Sequence, residues 1–131
     1  MPIYNAADTL PATLGSLQEQ TRQDFELVVV DDGSTDNGVA ILKAHFPVER
    51  LRLLKPGRVG LVKALQLGLE ACSGDWVARL DADDLMAPHR FEAQVEFAQS
   101  NPQLDVISSK IQSFFIIIFD WQTIISSNKL Q

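Results

Sequence analysis

Asp81, Asp83 and Asp84 crowd into four residues of the stretch VARLDADDLMAPHR (77–90), directly after an apolar run that reads as a buried strand. Carboxylates this close repel one another, and burial would raise their pKa values. A divalent cation relieves that conflict. Asp81 and Asp83, two residues apart on a turn, can face one ion, and hard oxygen ligands favour Mg2+, Mn2+ or Ca2+. Two carboxylates leave most of an octahedral shell to water or phosphate oxygens, so the pair suits a diphosphate-bearing ligand, and the ion would stabilise charge growing on a departing diphosphate. The plainer alternative is a solvated turn or a loose helix cap, since a lone D-x-D recurs by chance. A calcium loop is excluded. Counting from Asp81 puts Asp83 third and Glu92 twelfth, but Leu85 stands fifth and Met86 takes the obligatory glycine position.

A second acidic group closes the run VVVDDGSTD (28–36). Asp-Gly-Ser is turn chemistry, and Asp36 or Ser34 can cap a following helix. Two carboxylates exceed what a turn needs, however. At the end of a strand, Asp31 or Asp32 could accept a hydrogen bond from the imide N–H of a uracil or from ribose hydroxyls. Tyr4 is the only tyrosine; it is either a half-buried aromatic at a strand end or a stacking surface for a base.

The elements that must position these groups alternate along the chain. Asp8 can cap a helix running to about Gln20, with Leu10, Leu14 and Leu17 on one face. FELVVV (25–30) is a continuous apolar run of the kind that forms a buried parallel strand. Val39, Leu42 and Phe46 repeat at helical spacing, and RLRLL (50–54) alternates as a strand. Gly57 and Gly60 bracket a loop, after which Leu61, Ala64, Leu65, Gly68, Leu69 and Cys72 trace a helical stripe. WVARL (76–80) is a strand, Pro88 opens a helix with Phe91, Val95 and Ala98 inward, and LDVIS (104–108) is the last clear strand. Such alternation predicts an α/β fold, a mainly parallel sheet with helices on both faces joined by right-handed crossovers. Ligands of such sheets bind beyond the carboxyl ends of the strands. Tyr4-Asn5, Asp31-Asp32 and Asp81-Ala82-Asp83 all fall there.

The totals exclude several classes. A chain of 131 residues suits one domain, and a net charge of −6 argues against broad binding to nucleic acid or anionic membrane. One cysteine, Cys72, rules out an internal disulfide and a cysteine-based metal cluster, and its place on an apolar stripe suits a small core residue. No leader-like pattern opens the sequence, and the most apolar window, 111–125, includes Gln112, Asp120 and Gln122, too polar for a membrane span. A receiver-type phospho-acceptor domain fits poorly. Its third strand should end in a lone aspartate, where this chain has Lys55-Pro56, although Lys110 does follow the fifth strand.

PIYN (2–5), VVVDDGSTD (28–36), GLVKALQLGL (60–69) and RLDADD (79–84) occur in this order and spacing, followed by Pro88, Arg90 and Gln94 in the pattern P-x-R-x-x-x-Q. Over roughly the first 108 residues the chain thus resembles the family 2 glycosyltransferases of GT-A fold. The resemblance implies a GT-A, Rossmann-like, nucleotide-diphosphate-sugar-binding half domain, 1–108, for inverting transfer from a nucleotide-diphosphate sugar, a UDP-sugar favoured, to a hydroxyl of an acceptor sugar or glycan. It implies that Pro2 and Tyr4, with Asn5 beside them, border the base, and that Asp32, flanked by Asp31, holds uracil or ribose. Lys63 and Arg79 would approach the diphosphate or stay solvated, the latter favoured for Lys63. Asp81 would touch ribose or sugar, and Asp83 would be the main ligand of Mn2+ or Mg2+, Asp81 assisting. The expected location is the cytoplasm, the inner face of the membrane included.

Two departures set further expectations. Only Met1 precedes Pro2, so the first strand should be a stub; and no Glu-Asp pair follows Ser108, so the general base and acceptor half are expected outside this chain. Transfer by this chain alone is then not expected, and its rival description is a catalytically incompetent nucleotide- or metal-binding fragment. The apolar tail, 109–131, is unlike the family: it is either translated from a truncated or frame-shifted gene or a genuine element covering the sheet. Its run FFIIIF (114–119) is uncharged and β-prone, which favours pairing with a neighbouring chain and self-association.

Overall fold

The computed structural model describes residues 1–109 and 123–126. Strand β1 (Pro2–Ile3) is followed by α1 (Leu10–Gln18), β2 (Leu27–Asp31), α2 (Gly38–His45), a short 3-10 turn (Val48–Arg50) and β3 (Leu51–Leu54). Then come α3 (Leu61–Glu70), β4 (Trp76–Ala78), α4 (Arg90–Ser100), β5 (Val106–Ser108) and β6 (Thr123–Ser126). β1 is the expected stub.

β2 lies between β1 and β3, and all three run parallel, with Pro2 opposite Val30 and Leu27 opposite Leu51. Every residue of β2 is buried, which explains its unbroken apolar run. Leu27 and Val29 join Leu10, Leu14, Leu17, Leu42 and Phe46, from α1 and α2 and the end of α2, in the main core. Val30 points to the other face, where α3 comes so close that a Cβ on Gly68 would lie 3.3 Å from a Val30 methyl. Helices therefore cover both faces, and full burial of each large aliphatic chain is worth roughly 1.5–3 kcal/mol.

The remaining strands depart from a simple parallel continuation. β4 and β5 do not pair with β1; both pair antiparallel with β6, in the order β4-β6-β5, with Ile125 opposite Val77 on one side and Val106 on the other. Part of the tail thus fills the centre of its own chain's second sheet, whereas its composition favours a partner chain. The run 114–119 lies outside the described residues. An apolar groove of about 890 Å3 is lined by residues of both sheets and of α3, among them Met1, Val28, Leu65, Cys72 and Trp76. Among the described residues no helix is long and apolar enough to cross a membrane.

Helix starts differ from the local signals. α1 is preceded by Thr9, with no side-chain cap, rather than by Asp8. Asp36 does serve the start of α2, accepting from the Gly38 N–H at 3.0 Å, while its other oxygen accepts from the Ala7 N–H at 2.8 Å. α4 begins at Arg90, and it buries Arg90 and Gln94 beside Ala98.

Candidate nucleotide-binding cleft

A cleft of about 520 Å3 opens beyond the carboxyl ends of β1, β2 and β4. Pro2, Tyr4, Asn5, Asp32, Asp81 and Asp83 line it, together with Thr9, Arg58, Gly60 and Leu61. The larger groove between the sheets has other carboxylates in its lining, Asp24, Glu26 and Asp75, and none of Asp32, Asp81 and Asp83. The cleft is where the carboxylates at the strand ends come together.

Asp32 is the most constrained of the acidic groups. One carboxylate oxygen, Oδ1, accepts from the backbone N–H groups of Val59 at 2.6 Å and Gly60 at 2.9 Å. Its second oxygen lies 3.5 Å from Nη1 of Arg58. The Val59 N–H holds the carboxyl below its ordinary range against the opposing effect of desolvation, with the Gly60 N–H and the Arg58 charge adding to the lowering. Two glycines make the arrangement possible. Gly33 (φ +80°) lets the backbone of Arg58 approach, since a Cβ there would sit 3.3 Å from the Arg58 nitrogen, and Gly60 (φ +85°) starts α3.

Arg58 lines the cleft beside Tyr4. Its guanidinium carbon is 3.4 Å from the centroid of the Tyr4 ring, and its Nη1 also donates to the Asp32 carbonyl at 3.4 Å. Tyr4 is half exposed. Asn5 takes a left-handed conformation (φ 48°), which asparagine tolerates. Its side-chain oxygen accepts from the Thr35 N–H at 2.8 Å, and its own N–H donates to Ser34 Oγ at 3.1 Å. Asn5 thus borders the cleft while binding the loop after β2.

At the other end, Arg79 grips Asp81 with two hydrogen bonds, Nε to Oδ1 at 3.3 Å and Nη2 to Oδ2 at 2.8 Å. Asp83 is exposed and has no partner among the described residues. No three His, Cys, Asp or Glu among the described residues converge on one possible ion position. The protein would supply Asp83, with Asp81 if Arg79 yields, and this fits a small hard cation that keeps water and phosphate oxygens as its other ligands.

Three residues read from the sequence stand outside the cleft lining. Asp31 accepts from the Ser34 N–H at 2.9 Å and lies 4.0 Å from Lys55 Nζ, so it closes a turn and an ion pair. Lys63 donates to Gln66 on the outer surface of α3 at 3.1 Å, as expected of a solvated lysine. Arg79 lines the apolar groove and reaches the cleft only through Asp81. Arg58 was not singled out by the motifs. The signal was present, however: it is the basic residue between Gly57 and Gly60 at the carboxyl end of β3, the edge to which the other polar groups point.

The topology, with this cleft beyond its strand ends, is an α/β fold of the GT-A kind. The profile of the family described as Glycosyl transferase family 2 matches residues 1–128, and the chain belongs to that family. A glycosyltransferase of Haemophilus influenzae with no assigned activity is 41% identical over 101 residues, covering 76% of this chain and 38% of the relative. Among solved structures, S. aureus TarS 1-349 in complex with UDP-GlcNAc matches with a TM-score of 0.79 and 25% identity, over 91% of this chain and 35% of that one. The mannosyltransferase PcManGT from Pyrobaculum calidifontis, in complex with GDP-Man and Mn2+, matches with a TM-score of 0.73 and 28% identity, over 84% of this chain and 34% of that one. The chain spans less than half the length of these relatives.

Proposed function

We propose that this chain is the donor-binding half of an enzyme that transfers a sugar, with inversion, from a nucleotide-diphosphate sugar to a hydroxyl of an acceptor sugar or glycan. The carrying observation is the convergence of Tyr4, Asp32, Arg58 and Asp83 on one cleft. Tyr4 and Pro2 offer a face for the base. Asp32 has one oxygen committed to backbone N–H groups, which leaves the oxygen facing Arg58 to accept from an imide or a ribose hydroxyl. Asp81, fixed by Arg79, faces the ribose or the sugar.

The charge balance supports a metal. Asp32, Asp81 and Asp83 line the cleft against Arg58, with Arg79 engaged by Asp81. A diphosphate entering such a site meets net repulsion unless a cation accompanies it. Asp83, with Asp81, would hold Mn2+ or Mg2+, which when bound would neutralise the charge building on the leaving diphosphate. The solved relatives favour the same ligand class, since TarS is seen with UDP-GlcNAc and PcManGT with GDP-Man and Mn2+.

The partners of the cleft carboxylates favour a second description beside the first: with Asp32 and Asp81 held by their hydrogen bonds and Asp83 assigned to the cation, none is left to deprotonate an acceptor, and by itself the chain binds the donor without transferring the sugar. Calorimetry with UDP, GDP and dTDP, each with and without Mn2+, tests the reading. It is upheld by nucleotide binding that tightens with metal and refuted by indifference to all three nucleotides. Release of free sugar or glycosylated acceptor from UDP-sugars by the isolated chain would overturn the second description.

A further inference from the structure

α1 and the residue after its C-cap present a buried polar face where an amphipathic helix would be apolar. Thr13, Ser16 and Gln20 recur at i, i+3 and i+7 and are 0%, 8% and 3% exposed. Each meets the backbone of the segment carrying the paired aspartates. Thr13 Oγ1 donates to the Ala82 carbonyl at 2.9 Å, 69 residues away in sequence. Ser16 Oγ accepts from the Met86 N–H at 3.1 Å and donates to the Thr13 carbonyl at 2.7 Å. Gln20 donates through Nε2 to the Ala87 carbonyl at 2.8 Å and accepts at Oε1 from the Phe91 N–H at 3.2 Å.

A valine at 13 or an alanine at 16 would suit the core equally well on hydrophobic grounds, yet would leave a buried backbone group without its partner. The hydroxyl adds direction. Ala82 lies between Asp81 and Asp83, so the bond to its carbonyl orients the peptide plane from which the Asp83 side chain departs. Gln20 fixes the other end of the turn at the start of α4, where Arg90 Nη2 donates to the Arg79 carbonyl at 3.2 Å.

We infer that Thr13, Ser16 and Gln20 act as positioning residues for the metal-binding turn, with Thr13 setting the aim of Asp83. The inference rests on the reading above that Asp83 and Asp81 hold the cation. Thr13 is not part of the cleft lining; it acts through Ala82.

The test compares Thr13→Val, which removes the hydroxyl but keeps the shape, with Thr13→Ser, which restores it. Calorimetry measures UDP affinity with and without Mn2+, and amide hydrogen exchange is followed at Asp83, Asp84 and Met86 against Val29 and Val30 in β2. In Thr13→Val the tightening by Mn2+ should fall about tenfold, equivalent to ~1.4 kcal/mol, while metal-free UDP affinity stays unchanged. Exchange should quicken in the turn and not in β2, and Thr13→Ser should restore both properties. A full Mn2+ effect with unaltered exchange in Thr13→Val would overturn the inference. Should the wild-type chain show no Mn2+ effect, the metal reading fails, and the exchange comparison alone decides: unaltered turn exchange refutes a positioning role, local quickening supports it. If Thr13→Val does not fold, Ser16→Ala, which frees the Met86 N–H, is measured in its place with the same expected directions.

Discussion

The guanidinium of Arg58 lies over the Tyr4 ring, its central carbon 3.4 Å from the ring centroid. An exposed contact of this kind is worth about 0.5–1 kcal/mol, little enough for a ligand to displace or share. The ring thus lines the cleft with a cation over its face, the surface that the proposed function assigns to the base.

Tyr4→Ala should weaken UDP binding by about 1–3 kcal/mol, the range for losing a base–aromatic stack. Tyr4→Phe keeps the face and should bind as the wild type does. Calorimetry separates the two, and equal loss in both variants would assign the hydroxyl, not the ring, to the ligand.

Asp32 carries a pH signature. Its carboxyl is held below its ordinary value by the Val59 N–H foremost. Its contribution to stability is therefore complete above the unfolded value of about 3.9 and is lost as pH falls through the lower folded value. Asp32→Asn removes that titration. In urea the wild type should outlast the variant at neutral pH and lose this advantage on acidification. A gap that stays constant down to about pH 2 would show that the carboxylate charge is not what joins the two loops.

Gly33 and Gly57 both have φ near +80° (+80° and +82°), but only at Gly33 would a Cβ meet a neighbour, the Arg58 backbone. Alanine at either site should cost about 1–2 kcal/mol from the left-handed backbone. Only Gly33→Ala should also weaken UDP binding, because it pushes away the loop whose N–H groups bind Asp32. Matching losses of nucleotide affinity in the two variants would count against that link.

β6 is central to its sheet, so Ile125→Pro removes a ladder donor between β4 and β5 where proline is not tolerated. A melting temperature well below that of the wild type, or an insoluble chain, is expected. Unchanged melting would mean that the pairing seen here contributes nothing to stability.

Much of this was legible in local pattern. The unbroken run of β2, the leucines of α1 and the acidic groups at strand ends placed the layers and the edge of the sheet where the carboxylates gather, because burial and strand polarity leave direct marks in sequence. What escaped depends on tertiary partners. Asp31 and Asp32 are chemically identical neighbours, and only the fold turns one toward the Ser34 N–H and the other toward Val59 and Gly60. Thr13 and Ser16 look like indifferent helix residues until Ala82 and Met86 arrive from some 70 positions away. β6 carries a β-prone composition, but composition does not say which edge it will join.

On the proposed function, Asp83 would hold the cation that accompanies a nucleotide diphosphate into the cleft. The most direct measurement is UDP calorimetry on the wild type and Asp83→Ala, each with Mn2+ and with chelator. The wild type should bind UDP more tightly with Mn2+, and Asp83→Ala should fold normally, bind as the wild type does in chelator, and gain nothing from the metal. Equal UDP affinity in the wild type with and without Mn2+, or an undiminished metal effect in Asp83→Ala, would contradict it.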